Sequence, residues 1–452
     1  MGSDFGDRFA RPALVAAVAV QAYFLMAGQA SAVPAYAQQT GEPCATCHVG
    51  GFGPQLTLAG RKFKENGYTT RKAGLGFTPP ISAMAVASYV NTQKDQAEPP
   101  APHYSTNNNV TLDEASIFIA GGIGDHFGGF SQFTYDGVGR AFGWDNLDLR
   151  AVDHMTLGGS DVLVGLTVNN NPAIEDPWNT LPSWGFPYTD SDLAPGPASA
   201  TLFDGGYEQA VLGTTAYAVW GNGLYTEAGF YFTPGHHFLS ALGADEGAGP
   251  ISGVAPYVRV AYEKDYGDSN WEIGAFGFFP SLSPDGDTST GQTDSYRDIG
   301  FDASYQLQDS ENSYYTINAR YTHEDQDLNA THLLGGSTNA SDTLNDFRLD
   351  ASYYWHNLVG ASVQLFTTTG SSDALLYGDN RTLAPDSDGV TFQLDFTPWG
   401  DGSSPFGDRF NVRVGLQYTM YGKFDGASTN FDGLGGNASD NNTLRLFLWT
   451  AL

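Results

Sequence analysis

The chain has 452 residues, and its 50 Asp plus Glu against 20 Lys plus Arg leave a formal net charge of −30, which excludes a general nucleic-acid binder. Charged residues make up only 15% while Gly (56), Tyr (24) and Phe (29) are plentiful, a mix that suits long antiparallel strands with Gly, Asn and Asp turns and excludes a helical bundle.

The first element is an apolar run from Ala13 to Met26, broken at Gln21. It lies behind Arg8 and Arg11 and ahead of the small-residue sites Ala30-Ser31-Ala32 and Ala35-Tyr36-Ala37, which predicts a cleaved secretory signal over residues 1–32. That stretch holds two acids (Asp4, Asp7) and two bases, so the mature chain keeps its charge. No later segment is apolar enough to cross a membrane as a helix, but an exported chain can still sit in one by closing a β-barrel.

The only two cysteines follow, in Cys44-Ala45-Thr46-Cys47-His48. This spacing lets two thiols form thioethers to the vinyl groups of one covalently bound c-type haem, with His48 as the proximal iron ligand. A thioredoxin-like redox pair or half a zinc site would use the same Cys-x-x-Cys spacing, but the chain has neither a second Cys pair nor a βαβ context, and export suits haem attachment. The sixth iron ligand is not readable from spacing; Met84 and His103 are the nearest candidates, and an open or water-bound position is the alternative.

Residues 33–80 form the haem segment, too short to wrap a haem on every side, so the following segment is expected to supply the other walls. It carries Arg61, Lys62, Lys64, Arg71 and Lys72 against Glu42 and Glu65, whereas residues 81–452 carry 13 bases against 46 acids. A basic plug facing an acidic remainder is one reading of this imbalance. The others are an ordinary solvated face and bases that neutralise haem propionates.

Past Pro80, sixteen segments of period-two character begin near Ile81, Val110, Phe127, Asp145, Ser160, Gly206, Gly223, Ile251, Asp268, Tyr296, Asn312, Asp342, Leu358, Ser387, Asp408 and Asn441. Val412, Val414, Leu416, Tyr418 and Met420 fall on one face and Asn411, Arg413, Gly415, Gln417 and Thr419 on the other; Phe347, Leu349, Ala351 and Tyr353 oppose Asp346, Arg348, Asp350 and Ser352 likewise. A soluble sandwich shows the same period, so connection lengths discriminate better. Short links near 157–159, Asn222, 266–267, 309–311 and 356–357 alternate with long stretches at about 171–205, 281–295, 325–341 and 370–386, the one longer even turn being 400–407. The last segment runs as a strand to Leu452. The expected fold is all-β, an antiparallel transmembrane β-barrel of about sixteen strands over residues 81–452, preceded by the haem segment.

The chain resembles the fused monohaem cytochrome-porins of the outer membrane, known from iron-oxidising bacteria. The residues that carry the resemblance are Gln39-Thr40-Gly41, the haem motif, Pro54, Leu56, Thr57, Gly60, Arg61, Phe63, Lys64, Gly67 and Tyr68. It continues through Ser82-Ala83-Met84, Ala115-Ser116, Phe118, Ala120-Gly121, Phe130-Ser131-Gln132, Thr134-Tyr135-Asp136-Gly137, Trp144-Asp145-Asn146 and Asp148-Leu149-Arg150; beyond about residue 155 only architecture is shared. The resemblance implies an oxidoreductase in the outer membrane of a Gram-negative cell. It takes electrons from extracellular Fe(II) through the single haem and passes them to a periplasmic c-type cytochrome.

Two other readings stay open: a conduit for another donor or for outward electron flow, and a passive cation-favouring porin with a haem plug in contact with outer-membrane lipid. No catalytic residue is assigned, since no P-loop, dinucleotide fingerprint or Gly-x-Ser-x-Gly elbow is present. Gly235-His236-His237 is the most metal-like side-chain pair in a predicted outer loop, and adjacent loop histidines are more often incidental than ligands.

Overall fold

A computed structural model describes residues 35–74, 80–309, 312–406 and 410–452; the expected signal segment, 1–32, lies outside the described residues. Sixteen antiparallel strands run in chain order: β1 (Ile81–Thr92), β2 (Asn109–Ile123), β3 (Phe127–Asp136), β4 (Ala141–Leu157), β5 (Ser160–Asn169), β6 (Leu212–Trp220), β7 (Leu224–Phe232), β8 (Ala255–Asp265), β9 (Ser269–Phe278), β10 (Asp294–Gln308), β11 (Tyr314–Asp327), β12 (Ser341–Trp355), β13 (Val359–Gly370), β14 (Ser387–Phe396), β15 (Asn411–Lys423) and β16 (Thr443–Ala451). Each pairs with the next, a two-residue strand Ser281–Leu282 extends the start of β10, and β1 pairs with both β2 and β16, so the sheet closes.

Period two places lumen and exterior on alternate residues. On β15, Arg413 (2% exposed) and Gln417 (7%) turn inward, while Val414 (49%) and Leu416 (38%) turn outward. The outward faces elsewhere carry Ile117, Leu166, Val258, Ile299, Phe301 and Leu394, all exposed; such an apolar girdle around a closed sheet requires lipid rather than water. No helix among the described residues is long and apolar enough to cross a membrane.

One end of the barrel carries the short turns 124–126, 158–159, 221–223, 266–268 and 356–358 and the links from β10 to β11 and from β14 to β15; the other carries the long connections, of which 170–211 is the longest, and the short link 137–140. Three strand starts differ from expectation by four residues or more. β8 begins at Ala255 rather than Ile251, where Ile251 makes only an isolated bridge to Leu282. β4 begins at Ala141 rather than Asp145, with a register shift against β3 between Ser131 and Phe133. β6 begins at Leu212 rather than Gly206, because residues 201–211 belong to a loop that enters the lumen: Leu202 N–H donates to Glu324 (2.5 Å) and Phe203 N–H to Asp298 (2.7 Å), both on the inner wall.

The core therefore lies inside the cylinder. Leu181, Phe203, Tyr207 and Val211 of that loop pack on Tyr231, Tyr257, Phe276 and Phe278 of β7 to β9. The rest of the filling comes from residues 35–74, which fold as α1 (Ala35–Thr40), α2 (Cys44–Cys47) and α3 (Leu58–Glu65).

Candidate functional site

α2 is the Cys-x-x-Cys turn itself. His48 N–H donates to Cys44 O (2.9 Å), and Thr57 clamps the turn from the other side, its N–H donating to Cys47 O (3.0 Å) and its Oγ1 to Thr46 O (2.6 Å). Thr57 also caps α3, accepting from Gly60 N–H, and Gly60 lies so close that a Cβ there would stand 2.2 Å from Cys47 O. Gly50, Gly51 and Gly53 adopt left-handed φ values of 72°, 88° and 101°, which fold the chain back directly after His48.

Burial, with Glu42 nearby, pushes the Cys47 thiol up to about 11, the opposite of the lowered value of an attacking redox thiol. Burial holds His48 down to about 4, the Gly53 backbone opposing and Arg413 reinforcing the shift, so the imidazole is neutral, the form that can ligate iron. Its Nδ1 is buried without a hydrogen-bond partner.

Around Cys44 the structure gathers Phe52 from the segment, Met84 and Val86 from β1, Phe447, Trp449 and Ala451 from β16, and Tyr188 from the lumen loop. Met84 thus faces the lumen in contact with the Cys44 cluster. His103 does not: it is exposed in the β1–β2 connection, beyond the far end of a strand that rises about 26 Å from Met84 to Thr92. His236 and His237 also lie at the long-loop end, with rings 6.1 Å apart and His236 Nδ1 3.6 Å from Glu246.

Several wall strands hold the segment. Arg61 pairs with Glu263 on β8 (3.2 Å) and donates to Gln306 on β10; Lys62 reaches Glu65 (2.9 Å) and Glu263 (3.7 Å). Arg71 donates to Gly122 O, and Gln39 spans from Tyr68 O and Thr70 O to Gly122 N–H. Tyr68 donates to Asp148 (2.6 Å), which with Glu175 flanks Arg150; the guanidinium lies 5.5 Å over Tyr68 and 5.3 Å over Tyr217. Lys64 makes no ion pair among the described residues. It donates to Ile174 O (2.6 Å) and Asp176 O (2.8 Å), and burial lowers its ammonium below the usual lysine value. At the motif's edge, Arg413 donates to Gly50 O (3.1 Å) and Phe52 O (2.8 Å), and Gly50 N–H donates to Asn357 (2.8 Å).

The lumen loop meets this assembly from the other side. Asn179 accepts from Leu56 N–H and donates to Pro54 O, while Asp176 is bound by Arg259, which also pairs with Asp302 (2.7 Å). Beyond it a cavity of about 360 Å³ remains, lined among others by Asp190, Asp204, Arg320, Arg348, Asp350 and Arg445. Sequence reading did not single out Arg259 or Tyr188; it gave Arg150 only within the resemblance, Arg413 only as a polar-face residue, and residues 171–205 only as a long connection, with no contact assigned to any of them. The available signal was that bases are rare after residue 80, yet Arg259, Arg320, Arg413 and Arg445 fall on inward positions of alternating strands.

No protein-family model matches this chain and no curated protein matches it. Among solved structures it is similar to the anion-selective porin of Comamonas acidovorans (12% identity, TM-score 0.42, covering 82% of this chain and 98% of that one). It is also similar to OmpF of Salmonella typhi in complex with daunomycin (13%, 0.45, 82% and 97%) and to OmpT of Vibrio cholerae (8%, 0.40, 82% and 97%).

Proposed function

We propose that this chain is an outer-membrane electron-transfer protein that carries one c-type haem on Cys44 and Cys47 with His48 as proximal ligand, takes electrons from extracellular Fe(II), and passes them to a periplasmic c-type cytochrome. The observation that supports it is a Cys-x-x-Cys-His turn held inside the lumen of a closed transmembrane barrel. The donor set fits the cofactor: two thiols on one helical turn, a neutral buried imidazole, and an apolar and aromatic surround that contains Met84, the better-placed distal candidate. A haem there supplies a one-electron couple. The chain's own residues exclude water around Cys44 through Phe52, Phe447 and Trp449, and anchor the segment to the wall through Arg61, Tyr68 and Arg413.

The short-turn end, where the motif lies, corresponds to the periplasmic side of this arrangement, and the long acidic connections face outward and attract hard divalent cations. The test is anaerobic mixing of the purified protein with Fe(II) while the haem absorption bands are followed. Rapid reduction supports the reading; haem present but unreduced moves the assignment to another donor or to outward flow. Haem staining of Cys47→Ala equal to that of the natural protein contradicts the cofactor assignment.

A second reading, a cation-favouring porin with the segment as a plug, draws on the excess of acids over bases in residues 81–452 and on a lumen cavity of about 360 Å³ beside the loop. It predicts bilayer conductance that does not depend on haem redox state.

A further inference from the structure

Six of seven inward-facing arginine side chains have a carboxylate within ion-pair distance: Arg61 with Glu263, Arg150 with Glu175, Arg259 with Asp302, Arg320 with Asp204, Arg348 with Asp346 and Arg445 with Asp113. Arg413 is the exception among the described residues. It is 2% exposed, its Nε donates to Thr397 Oγ1 (3.3 Å) and its Nη2 to Gly50 O and Phe52 O, all neutral partners. Asp395 on the neighbouring strand is committed to Tyr354 (2.7 Å) and Gln393 (2.8 Å). Three aromatic rings enclose the guanidinium, Phe52 at 4.9 Å, Trp449 at 5.5 Å and Tyr354 at 5.6 Å.

A cation taken out of water needs an anion or it is strongly unfavourable. Beside it stands a second unmet donor: Trp449, the cross-strand partner of Arg413 in the ladder, is 4% exposed and its Nε1 has no hydrogen-bond partner. Both side chains belong to the packing around the motif, since Phe52 and Trp449 contact the Cys44 cluster. Gly53 keeps the corner open: a Cβ there would lie 3.2 Å from the Trp449 ring and 3.4 Å from Arg413 Nη1.

We infer that Arg413 and the Trp449 indole N–H form the anion-binding end of the haem site and receive a haem propionate. This rests on the haem assignment above and adds that barrel strands β15 and β16, not the segment's lysines, position the cofactor's carboxylates. Arg413 is a positioning residue here. A cation held against a propionate offsets its negative charge beside the iron and so favours the ferrous state.

The test is spectroelectrochemistry of the purified haem-bearing protein with Arg413→Gln, Arg413→Lys and Trp449→Phe. Haem per polypeptide is measured first; its absence from the natural protein defeats the haem assignment rather than this inference. With haem present, the expected result is a midpoint potential lowered in Arg413→Gln, lowered less in Trp449→Phe, and restored in large part by Arg413→Lys, with a shifted propionate bending band in resonance Raman. Arg413 also ties down the segment, so if Arg413→Gln fails to assemble, Trp449→Phe decides, because it keeps an aromatic ring at that position while removing the indole donor. A natural potential and an unmoved propionate band in Trp449→Phe, or in haem-replete Arg413→Gln, overturns the inference.

Discussion

Arg150→Met isolates the clasp between the segment and the wall. In the natural protein Arg150 (3% exposed) reaches Glu175 at 2.7 Å and Asp148 at 3.0 Å, donates to the backbone carbonyl of Lys64, and lies over the rings of Tyr68 and Tyr217. Removing it leaves two fully buried carboxylates without their cation, which costs about 3–5 kcal/mol, with the ring contacts adding about 0.5–2 kcal/mol more. The backbone ladders of β4 with β3 and β5 do not involve the side chain, so the loss falls on docking of the segment and not on the barrel. At one decade per 1.4 kcal/mol, the docking equilibrium weakens by a factor of roughly 300 to 10⁵. Trypsin reads this directly. Arg71 and Lys72 are exposed and open to cleavage in the natural protein, whereas Arg61 and Lys64 are buried. In folded Arg150→Met, identified by a retained gel shift between unheated and boiled samples, cleavage at Lys64 becomes fast. Protection of Lys64 equal to that of the natural protein, or loss of the gel shift itself, refutes the assignment of Arg150 to the clasp.

Three further outcomes are expected. Gly60→Ala drives a Cβ to 2.2 Å from Cys47 O, so α3 moves by roughly 1 Å at a cost of about 1–3 kcal/mol; haem per polypeptide falls while the barrel still shows its gel shift. Deleting residues 35–74 empties one end of the lumen, and planar-bilayer conductance rises above that of the natural protein; an equal conductance shows that the segment does not limit the pore. Asp373 accepts from the N–H groups of Thr338, Asn339, Leu375 and Leu376, which together outweigh burial and hold its carboxyl down to about 2. A lowered carboxyl contributes its full stability above the ordinary value of 3.8 and loses it as the pH falls through about 2. Hydrogen exchange at Thr338 and Asn339 is therefore slow at pH 4 and fast near pH 2, and Asp373→Asn raises it at both.

The barrel was legible because two signals agreed: apolar and polar residues alternate cleanly on β12 and β15, and connection lengths alternate between two ends. The Cys44–His48 turn stood out in the sequence because its residues are consecutive, and the structure places them on one turn inside the lumen. What the alternation misses is direction within the lumen. Gly206 to Val211 reads as the start of a strand, yet it continues the loop in which Leu202 and Phe203 donate to Glu324 and Asp298, far along the chain. Arg413 was placed on the polar face of β15, but nothing local tells that its neighbours would be Gly50 and Phe52, more than three hundred residues earlier. Gly67, Tyr68 and Lys64 meet Asp148, Arg150 and Val152, so the segment and the first four strands contain both halves of one contact.

The tether between Gly74 and β1 has a consequence for how strong the docking contacts need to be. The segment and the barrel belong to one chain, so a segment that lets go of the wall stays near the barrel at an effective concentration on the order of millimolar. Contacts too weak to hold two separate proteins together are sufficient here, and dilution has no effect on occupancy. A weakened clasp exposes the Cys44–His48 turn to the surroundings for part of the time without ever releasing it. Every barrel accordingly keeps its own segment, and no barrel has to find one by diffusion.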